Sequence, residues 1–243
     1  MKSSLLFLSL LVISGNISAQ VIFAHNDYLK PRPFFNAFEL KAAYIEADVF
    51  LEKDRLLVAH TEREIDPSKT LESMYLQPLL QKVKEGNGKL YGLTLMIDLK
   101  TGGAPTMDVL VKTLERYPEL TKCEGLSITM SGNYPPPSEW KIYPAYISFD
   151  GRPNVNYTPD QIRRIKLVST SFASVSGWDG KGEIPAKDEE KIKQTVDWAH
   201  QFNKPMRFWA SPDFANAWGK FKKLGVDILN SDNIDDLSKY LSH

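Results

Sequence analysis

The stretch YIEADVFL at 44–51 decides the fold, because it is an apolar run that carries two carboxylates on one side. Glu46 and Asp48 are two residues apart, so in a β-strand their side chains point to the same face. Two other apolar runs end in histidine, since VIFA precedes His25 and LLVA precedes His60. We expect these four side chains to crowd one end of a sheet, where neighbouring carboxylates repel unless they share a cation or a proton.

Short apolar runs recur along the chain and predict eight β-strands. They are rich in Val, Ile, Leu and aromatic residues and too short for helices, as is typical of buried parallel strands. The predicted strands are 21–26, 44–51, 93–99, 126–131, 145–150, 166–172, 206–211 and 226–231. Helices are predicted between several of them, at 106–117, 187–202, 214–225 and 235–241, with a further helix that begins at Thr158 and Pro159.

Strands that alternate with helices predict an α/β protein built as a (β/α)8 TIM barrel. The alternative is an open doubly wound sheet, in which a Gly-rich phosphate loop typically follows the first strand. The stretch AHNDYLKPRPFF at 24–35 contains no glycine, which favours the barrel. The proline-rich stretch 133–143 predicts a loop where a helix would otherwise stand.

The first 19 residues read as a secretory signal peptide. Lys2 gives the positive start, an apolar stretch at 5–13 follows, and small residues precede a cleavage site after Ala19. The apolar stretch is too short to span a bilayer. We therefore expect a single barrel domain at 20–243 that is periplasmic or secreted. Cys123 is the only cysteine, so an internal disulfide is impossible, and it has no nearby His to activate it as a nucleophile.

The charge balance limits the partners of this chain. Its 30 Lys and Arg residues equal its 30 Asp and Glu residues, and no basic block stands out. This composition argues against nucleic acid as a partner. No apolar run after the signal is long enough to cross a membrane, so stable membrane insertion is not expected. The expected partner is a small molecule, and a negatively charged one must be held by local groups or by a metal.

Three acids at the ends of predicted strands form a candidate metal site. Glu46, Asp48 and Asp98 offer only oxygen, which suits Ca²⁺ or Mg²⁺ better than zinc. The alternative is a salt-bridge cluster in which these acids pair with Lys100 and an arginine. Two inward acids on one strand make such a cluster costly without excess positive charge.

The two histidines are candidate acid and base groups. An imidazole can gain or lose a proton near neutral pH, so of His25 and His60 one can accept a proton while the other donates one. A second possibility is that both bind zinc together with Asp48. Lys100 follows Asp98 by two residues and faces the same side, so it is expected either to hold a phosphate oxygen or to pair with Asp98.

Other candidates for substrate contacts are fewer. Trp209 is expected either to wall the pocket or to be a buried barrel aromatic. Arg32 and Arg152 are weaker phosphate candidates, because single arginines on loops are common.

These residues, in this order, resemble the glycerophosphodiester phosphodiesterase family of the phosphatidylinositol-phospholipase-C-like barrel superfamily. The resemblance covers the whole chain after the signal. It rests on His25, on Glu46-x-Asp48, on LLVAH at 56–60, on IDLK at 97–100, on RFWAS at 207–211 and on LGVDILNSDNIDDL at 224–237. The AHNDY form of the first motif, with EADVFL and TLESMYLQPL, looks most like a branch that includes the fungal "altered inheritance of mitochondria" proteins.

The resemblance implies metal-assisted cleavage of a phosphodiester, such as a glycerophosphodiester or a phospholipid head group. In this family pattern His25 and His60 match the acid–base pair. Glu46, Asp48 and Asp98 match the metal ligands.

The chain departs from the family pattern at two positions. Lys100 matches the phosphate contact of the family, but Asn26 stands where the family usually has an arginine that also contacts phosphate. We expect Asn26 to contact the substrate with a hydrogen bond and no charge. The third ligand is usually Glu and is the shorter Asp98 here. The missing arginine supports an alternative function, a non-catalytic barrel that binds a phosphate or a sugar.

Overall fold

Eight parallel strands close into a barrel, which confirms the predicted (β/α)8 fold and all eight predicted strands. The structure is a computed structural model that describes residues 20–243, and the predicted signal peptide lies outside the described residues. The strands are β1 (Val21–Ala24), β2 (Tyr44–Glu52), β3 (Arg55–Val58), β4 (Lys89–Leu99), β5 (Glu124–Gly132), β6 (Ile147–Gly151), β7 (Ile165–Ser171), β8 (Met206–Trp209) and β9 (Ile228–Ser231).

The barrel runs in the order β1, β2, β4, β5, β6, β7, β8 and β9, and β9 pairs with β1 to close it. The seam between β1 and β2 is short, because only Phe23 and Ala24 pair with Tyr44 and Ile45. Since β1 ends there, the second half of β2 is left with a free edge on that side.

The ninth strand, β3, covers this free edge and was not predicted as a strand. It runs antiparallel to β2, with Val49 opposite Val58. The tight hairpin turn places Lys53 at a φ of 55°. Because β3 returns toward the barrel, Ala59 N donates a hydrogen bond to Asp48 O at 3.3 Å. The hairpin thereby brings the residue after Ala59 back to the level of the acids on β2.

Helices surround the barrel and include the predicted ones, although their bounds differ by one to several residues. The α-helices are α1 (Phe35–Glu39), α2 (Gln77–Glu85), α3 (Gly103–Glu115), α4 (Pro118–Thr121), α5 (Pro159–Arg164), α6 (Ala186–His200), α7 (Ala215–Lys223) and α8 (Ile234–Leu241). Short 3-10 turns occur at Asp27–Leu29, Glu62–Glu64, Pro137–Ile142 and Phe172–Ser174, and a π-helical turn at Glu72–Leu76 precedes α2. Among the helices of residues 20–243, none is long and apolar enough to cross a membrane.

Two local sequence signals act as expected at helix starts and breaks. Thr158 caps α5 in a capping box, because Thr158 N donates to Gln161 Oε1 at 2.8 Å. The proline-rich stretch 133–143 forms no α-helix, but it is not a simple loop, since it contains a 3-10 helix. Trp140 in that helix is buried, and its ring stacks on that of Phe149 with 4.2 Å between the ring centroids. This contact anchors the segment to β6.

The hydrophobic core lies in two places. The larger part fills the space between the strands and the helices. The smaller part fills one level of the barrel interior and consists of Phe23, Tyr44, Met96, Leu167 and Ile228. Side chains that follow these residues along the strands and face inward are polar, so the barrel interior changes from apolar to polar toward the carboxyl ends of the strands.

Candidate active site

All eight side chains proposed from the sequence as site residues line one cavity at the carboxyl ends of the barrel strands. This central cavity has a volume of about 230 Å³. The predicted residues that line it are His25, Asn26, Glu46, Asp48, His60, Asp98, Lys100 and Trp209. The fold therefore brings the candidates together, and their chemical roles remain predictions.

Three carboxylates converge on one side of this cavity. Asp48 on β2 lies directly opposite Asp98 on β4 in the sheet register, and Glu46 precedes Asp48 by two residues on the same face. One oxygen of each lies within 4.8 Å of the others. Within residues 20–243, Asp48 Oδ1 is buried and has no hydrogen-bond partner. A buried oxygen without a donor is costly, so this cluster has the donor set and the unmet demand of a site for a hard divalent cation.

Burial next to other acids changes the proton affinity of Asp48. Desolvation and the charge of Glu46 raise the pKa of Asp48, although Lys100 opposes this effect. A cation bound between these oxygens would favour the ionised form.

Gly132 at the end of β5 leaves room for the third carboxylate. It has a φ of 73°, and a Cβ atom there would lie 2.6 Å from Asp98 Oδ1. Since no side chain fits at that distance, glycine is required for Asp98 to reach the cluster.

Two cations of the chain already face the acids. Lys100 Nζ lies 2.8 Å from Asp48 Oδ2 and 3.0 Å from Asp98 Oδ1. Arg207 on β8 lies 3.5 Å from Glu46 Oε1 and is buried. These contacts match the alternative of a salt-bridge cluster, and Arg207 is the arginine that it required. Three carboxylates and two cations still leave one net negative charge, so the ion pairs do not remove the electrostatic attraction for a metal.

His25 directly follows β1 and is oriented by a carboxylate. Its Nδ1 lies 2.9 Å from Asp232 Oδ1, and its Nε2 lies 3.6 Å from Glu46 Oε2. Burial lowers the pKa of His25, but the hydrogen bond to Asp232 and the charge of Glu46 outweigh burial, so the pKa lies above its usual value. The pairing with Asp232 fixes the ring and leaves Nε2 as the nitrogen that faces the acids.

His60 reaches the cavity through the β2–β3 hairpin and is oriented by a tyrosine. Tyr28 Oη donates to Asp48 Oδ2 at 2.6 Å and lies 3.0 Å from His60 Nδ1. Burial and the charge of Asp48 raise the pKa of Tyr28 far above its usual range. The Tyr28 hydroxyl therefore stays protonated and donates a hydrogen bond to Asp48. Tyr28 Oη can then accept a hydrogen bond from His60 Nδ1–H, which leaves His60 Nε2 for a substrate.

Asn26 links the two histidine arrangements. It has left-handed backbone geometry with a φ of 50°, which Asn tolerates better than most residues. Its backbone N donates to Glu46 Oε2 at 3.1 Å, its side-chain amide donates to Asp232 Oδ1 at 3.1 Å, and its Oδ1 lies 2.8 Å from Tyr28 Oη. The turn after β1 is therefore tied to the acids of β2 at several points.

Several residues of the site were not predicted from the sequence, and those that contact the acids or histidines or carry charge include Tyr28, Asp150, Arg207 and Asp232. A signal existed for Arg207, since it precedes Trp209 by two residues on one strand and so faces the same side. Tyr28 and Asp232 lie in turns whose direction cannot be read from residue spacing.

Asp150 on β6 completes the inner wall of the cavity opposite the metal candidates. Its Oδ2 accepts hydrogen bonds from Ser169 and, at 3.4 Å, from Ser131. In the described chain Asp150 Oδ1 is buried without a partner. Burial raises the pKa of Asp150 to about 6, although Arg207 counteracts part of this shift.

The remaining candidates differ in position. Trp209 is 41% exposed at the cavity mouth, so it is a wall of the cavity and not a buried barrel aromatic. Arg152 also lines the cavity, whereas Arg32 lies on the surface and pairs with Glu39 at 2.6 Å. Cys123 precedes β5 at the opposite end of the barrel.

Comparison with known proteins agrees with the resemblance seen in the sequence. Residues 12–91 match the AIM6-like phosphodiesterase domain. A homologue of altered inheritance of mitochondria protein 6 from Arthroderma benhamiae is 26% identical over 261 residues, which cover 90% of this chain and 83% of that protein. The protein of that name from Saccharomyces cerevisiae S288c is 23% identical, over 91% of this chain and 71% of that protein. The predicted resemblance is confirmed.

Solved structures show the same fold at low sequence identity. A glycerophosphodiester phosphodiesterase from Parabacteroides distasonis has a TM-score of 0.61 at 16% identity, over 93% of this chain and 98% of that chain. A calcium-dependent phosphoinositol-specific phospholipase C from a Pseudomonas species has a TM-score of 0.58 at 11% identity, over 88% of each chain. The chain therefore has the barrel fold of these two solved proteins.

We predict that Asp48→Asn weakens divalent cation binding by about tenfold or more, because it removes one charge from a three-carboxylate set. Isothermal titration with Ca²⁺ and with Mg²⁺ measures the affinity. Asp54→Asn, in the exposed hairpin turn, is the matched control and should bind as the parent does. Equal affinities for the Asp48 variant and the parent would place the cation elsewhere.

We predict that the change in the free energy of unfolding caused by Asp150→Asn is about 2 kcal/mol more stabilising at pH 7 than at about pH 4.5. The pKa of Asp150 is raised to about 6 in the folded protein, so ionisation destabilises the folded state above pH 6. The cost declines as pH falls through 6, because the folded state takes up the proton before the unfolded state does. Urea unfolding at both pH values measures the difference, with the exposed Asp235→Asn as control. If Asp150→Asn changes the free energy of unfolding by the same amount at both pH values, burial does not raise the pKa of Asp150.

Proposed function

We propose that this chain is a metal-dependent phosphoric diester hydrolase that acts on a small glycerophosphodiester or on a similar head-group phosphodiester. The observation that carries the proposal is the convergence of three carboxylates, with one histidine on each flank, in a single cavity. The likeness to the AIM6-like phosphodiesterase domain supports the same reaction class.

Glu46, Asp48 and Asp98 are the residues that would hold the cation. All donors are oxygen, which favours Ca²⁺ or Mg²⁺, and the calcium dependence in the name of one structural neighbour supports the same choice. A bound divalent cation would supply positive charge to the non-bridging oxygens of the phosphate.

The histidines provide the proton transfers in this proposal. Asp232 holds Nδ1 of His25, and Tyr28 holds Nδ1 of His60, so each ring offers Nε2 to the substrate. One histidine takes a proton from the attacking hydroxyl or water, and the other gives a proton to the leaving alcohol oxygen. His25 follows β1 and His60 follows β3, so the two histidines reach the acids from separate segments of the chain.

Substrate contacts come from the remaining lining residues. Lys100, once its carboxylate partners are engaged with a cation, would supply positive charge to the phosphate. Asn26 would donate a hydrogen bond without charge. Trp209 would cover one face of the substrate at the cavity mouth.

A second candidate function is a non-catalytic barrel that binds a phosphate or a sugar. The ion pairs of Lys100 and Arg207 with the acids favour it, because they offset two of the three negative charges of the cluster. A zinc-type hydrolase has less support. Among residues 20–243, the clustered ligand set comprises Glu46, Asp48 and Asp98 without either histidine.

We also propose that the protein acts outside the cytoplasm, in the periplasm or after secretion. The positive start, the short apolar stretch and the small residues before Gln20 support export with cleavage after Ala19. Intact mass of the protein recovered from its producing cells should correspond to a chain that starts at Gln20. Recovery with Met1 retained would contradict export by this route.

We predict that His25→Ala and His60→Ala each lower kcat by about 100-fold or more, because each removes one proton-transfer group. The assay measures cleavage of bis(p-nitrophenyl) phosphate and of glycerophosphocholine, with added Ca²⁺ or Mg²⁺ and with a chelator. His200→Ala is the matched control, since His200 pairs with Asp227 at the other end of the barrel.

The results separate the candidates. Activity that the chelator abolishes and that either histidine variant loses supports the hydrolase. Activity near the parent level in one histidine variant removes that residue from the mechanism. If the folded parent cleaves no phosphodiester with any divalent cation, the binding barrel is the better description.

A further inference from the structure

A second cavity, here called the side groove, adjoins the central cavity. It has a volume of about 580 Å³. Arg152 and Trp209 line both cavities, so the two spaces share a wall at the barrel mouth. The segment after β6, the end of β7 and one side of α6 form the rest of the groove. A substrate held at the central cavity therefore has room to extend in this direction.

The side groove carries positive charge without a matching negative charge. Arg152 and Lys191 line it, and its lining residues in the described chain include no Asp or Glu. Within residues 20–243 neither cation forms an ion pair. Arg152 instead donates to the Gly132 carbonyl at 3.3 Å and lies over the ring of Tyr134. Both charges are available to a ligand.

Three of the four acids of α6 contact residues other than these two cations. Asp197 pairs with Lys193 at 2.8 Å, and Asp188 accepts a hydrogen bond from Ser176. Glu190 accepts a hydrogen bond from Gln194 at 3.2 Å, which places one acid near the groove without making it part of the lining. The groove is thus a positive surface beside an acidic cavity.

The remaining lining suits a hydroxylated group. Trp209 is partly exposed, and Trp198 packs against Phe202 on the other side of the groove. Hydroxyls and an amide lie between them, from Thr170, Thr195 and Gln194. Aromatic faces and neutral polar groups bind the carbon skeleton and hydroxyls of a polyol, while the cations select its charge.

We propose that the side groove binds the leaving alcohol of the substrate, and that this alcohol carries an anionic group of its own, either a phosphate or a carboxylate. The proposal rests on the phosphodiesterase function proposed above for the central cavity. It predicts substrates with an anionic leaving alcohol, in contrast to substrates with a cationic one such as choline. Arg152 lies at the wall between the cavities, and Lys191 lies on α6, so Lys191 is the residue that acts on the groove alone.

Three matched substrates test the proposal. Their leaving alcohols are glycerol, glycerol phosphate and glycerate, each joined by a phosphodiester to glycerol. The parent should show a kcat/KM about fivefold higher for the two anionic leaving groups than for glycerol, as expected for one or two exposed ionic contacts. This preference should shrink at high salt.

Lys191→Met should lower the ratio of anionic to neutral kcat/KM toward unity, with the remainder supplied by Arg152, and leave cleavage of the glycerol substrate unchanged. Lys193→Met is the matched control, because Lys193 lies two residues away on α6 and is paired with Asp197. It should keep the parent ratio. Lys191→Glu should lower the ratio further than Lys191→Met does, because it places a negative charge beside Arg152. A parent without preference for anionic leaving groups, or a ratio that Lys191→Met leaves intact, would overturn the proposal.

A binding experiment separates this proposal from the function of the central cavity. Glycerol 3-phosphate and glycerol are titrated into the parent, Lys191→Met and Lys193→Met, and binding is followed by ligand-observed NMR. Lys191-dependent binding of glycerol 3-phosphate without any phosphodiester turnover would support the groove and count against the hydrolase. Turnover without Lys191-dependent binding or selectivity would support the hydrolase and overturn the groove.

Discussion

The mutual repulsion of three clustered carboxylates, two of them buried, is the constraint on which the site depends. Glu46, Asp48 and Asp98 lie on two neighbouring strands, and the register of a parallel sheet leaves them no way to separate. Cations and hydrogen-bond donors of the chain reduce this repulsion. Lys100 and Arg207 approach from opposite sides, and the hydroxyl of Tyr28, with its raised pKa, donates to Asp48. Asp48 Oδ1 still has no partner within the described residues, which is why a cation fits there.

The short pairing between β1 and β2 determines both how the barrel closes and where the two histidines lie. Because β1 ends at Ala24, the turn that carries His25 lies beside β2 at the level of its acids. Because β1 is short, β3 can pair with the second half of β2 on the same edge. The antiparallel direction of β3 then places His60 beside Asp48. A longer β1 would occupy the edge that β3 uses. The short seam thus allows two histidines to reach one cluster from separate segments.

Much of this arrangement could be predicted from the sequence, because alternation in strands is a strict rule. Two-residue spacing placed Glu46 with Asp48, and the barrel topology placed Asp98 beside them. Hydrogen-bond partners were harder to predict. Asp232 meets His25 only because β9 closes on β1, a contact across 207 positions of sequence. The antiparallel strand β3 was not predicted, since periodicity alone does not identify a short apolar run such as LLVA as a strand.

The absence of an arginine after His25 is partly offset by other strands. Asn26 brings hydrogen bonds that fix the turn, in a left-handed conformation that a long cationic side chain tolerates less well. Positive charge reaches the cavity instead from Arg207 on β8 and from Arg152 after β6. Arg207 is held by Asn230 and Glu46 deep in the barrel, so its charge acts on the acids. Within the described residues Arg152 forms no ion pair and lines both cavities, so the proposed anionic leaving group would meet positive charge on the side of β6 and α6.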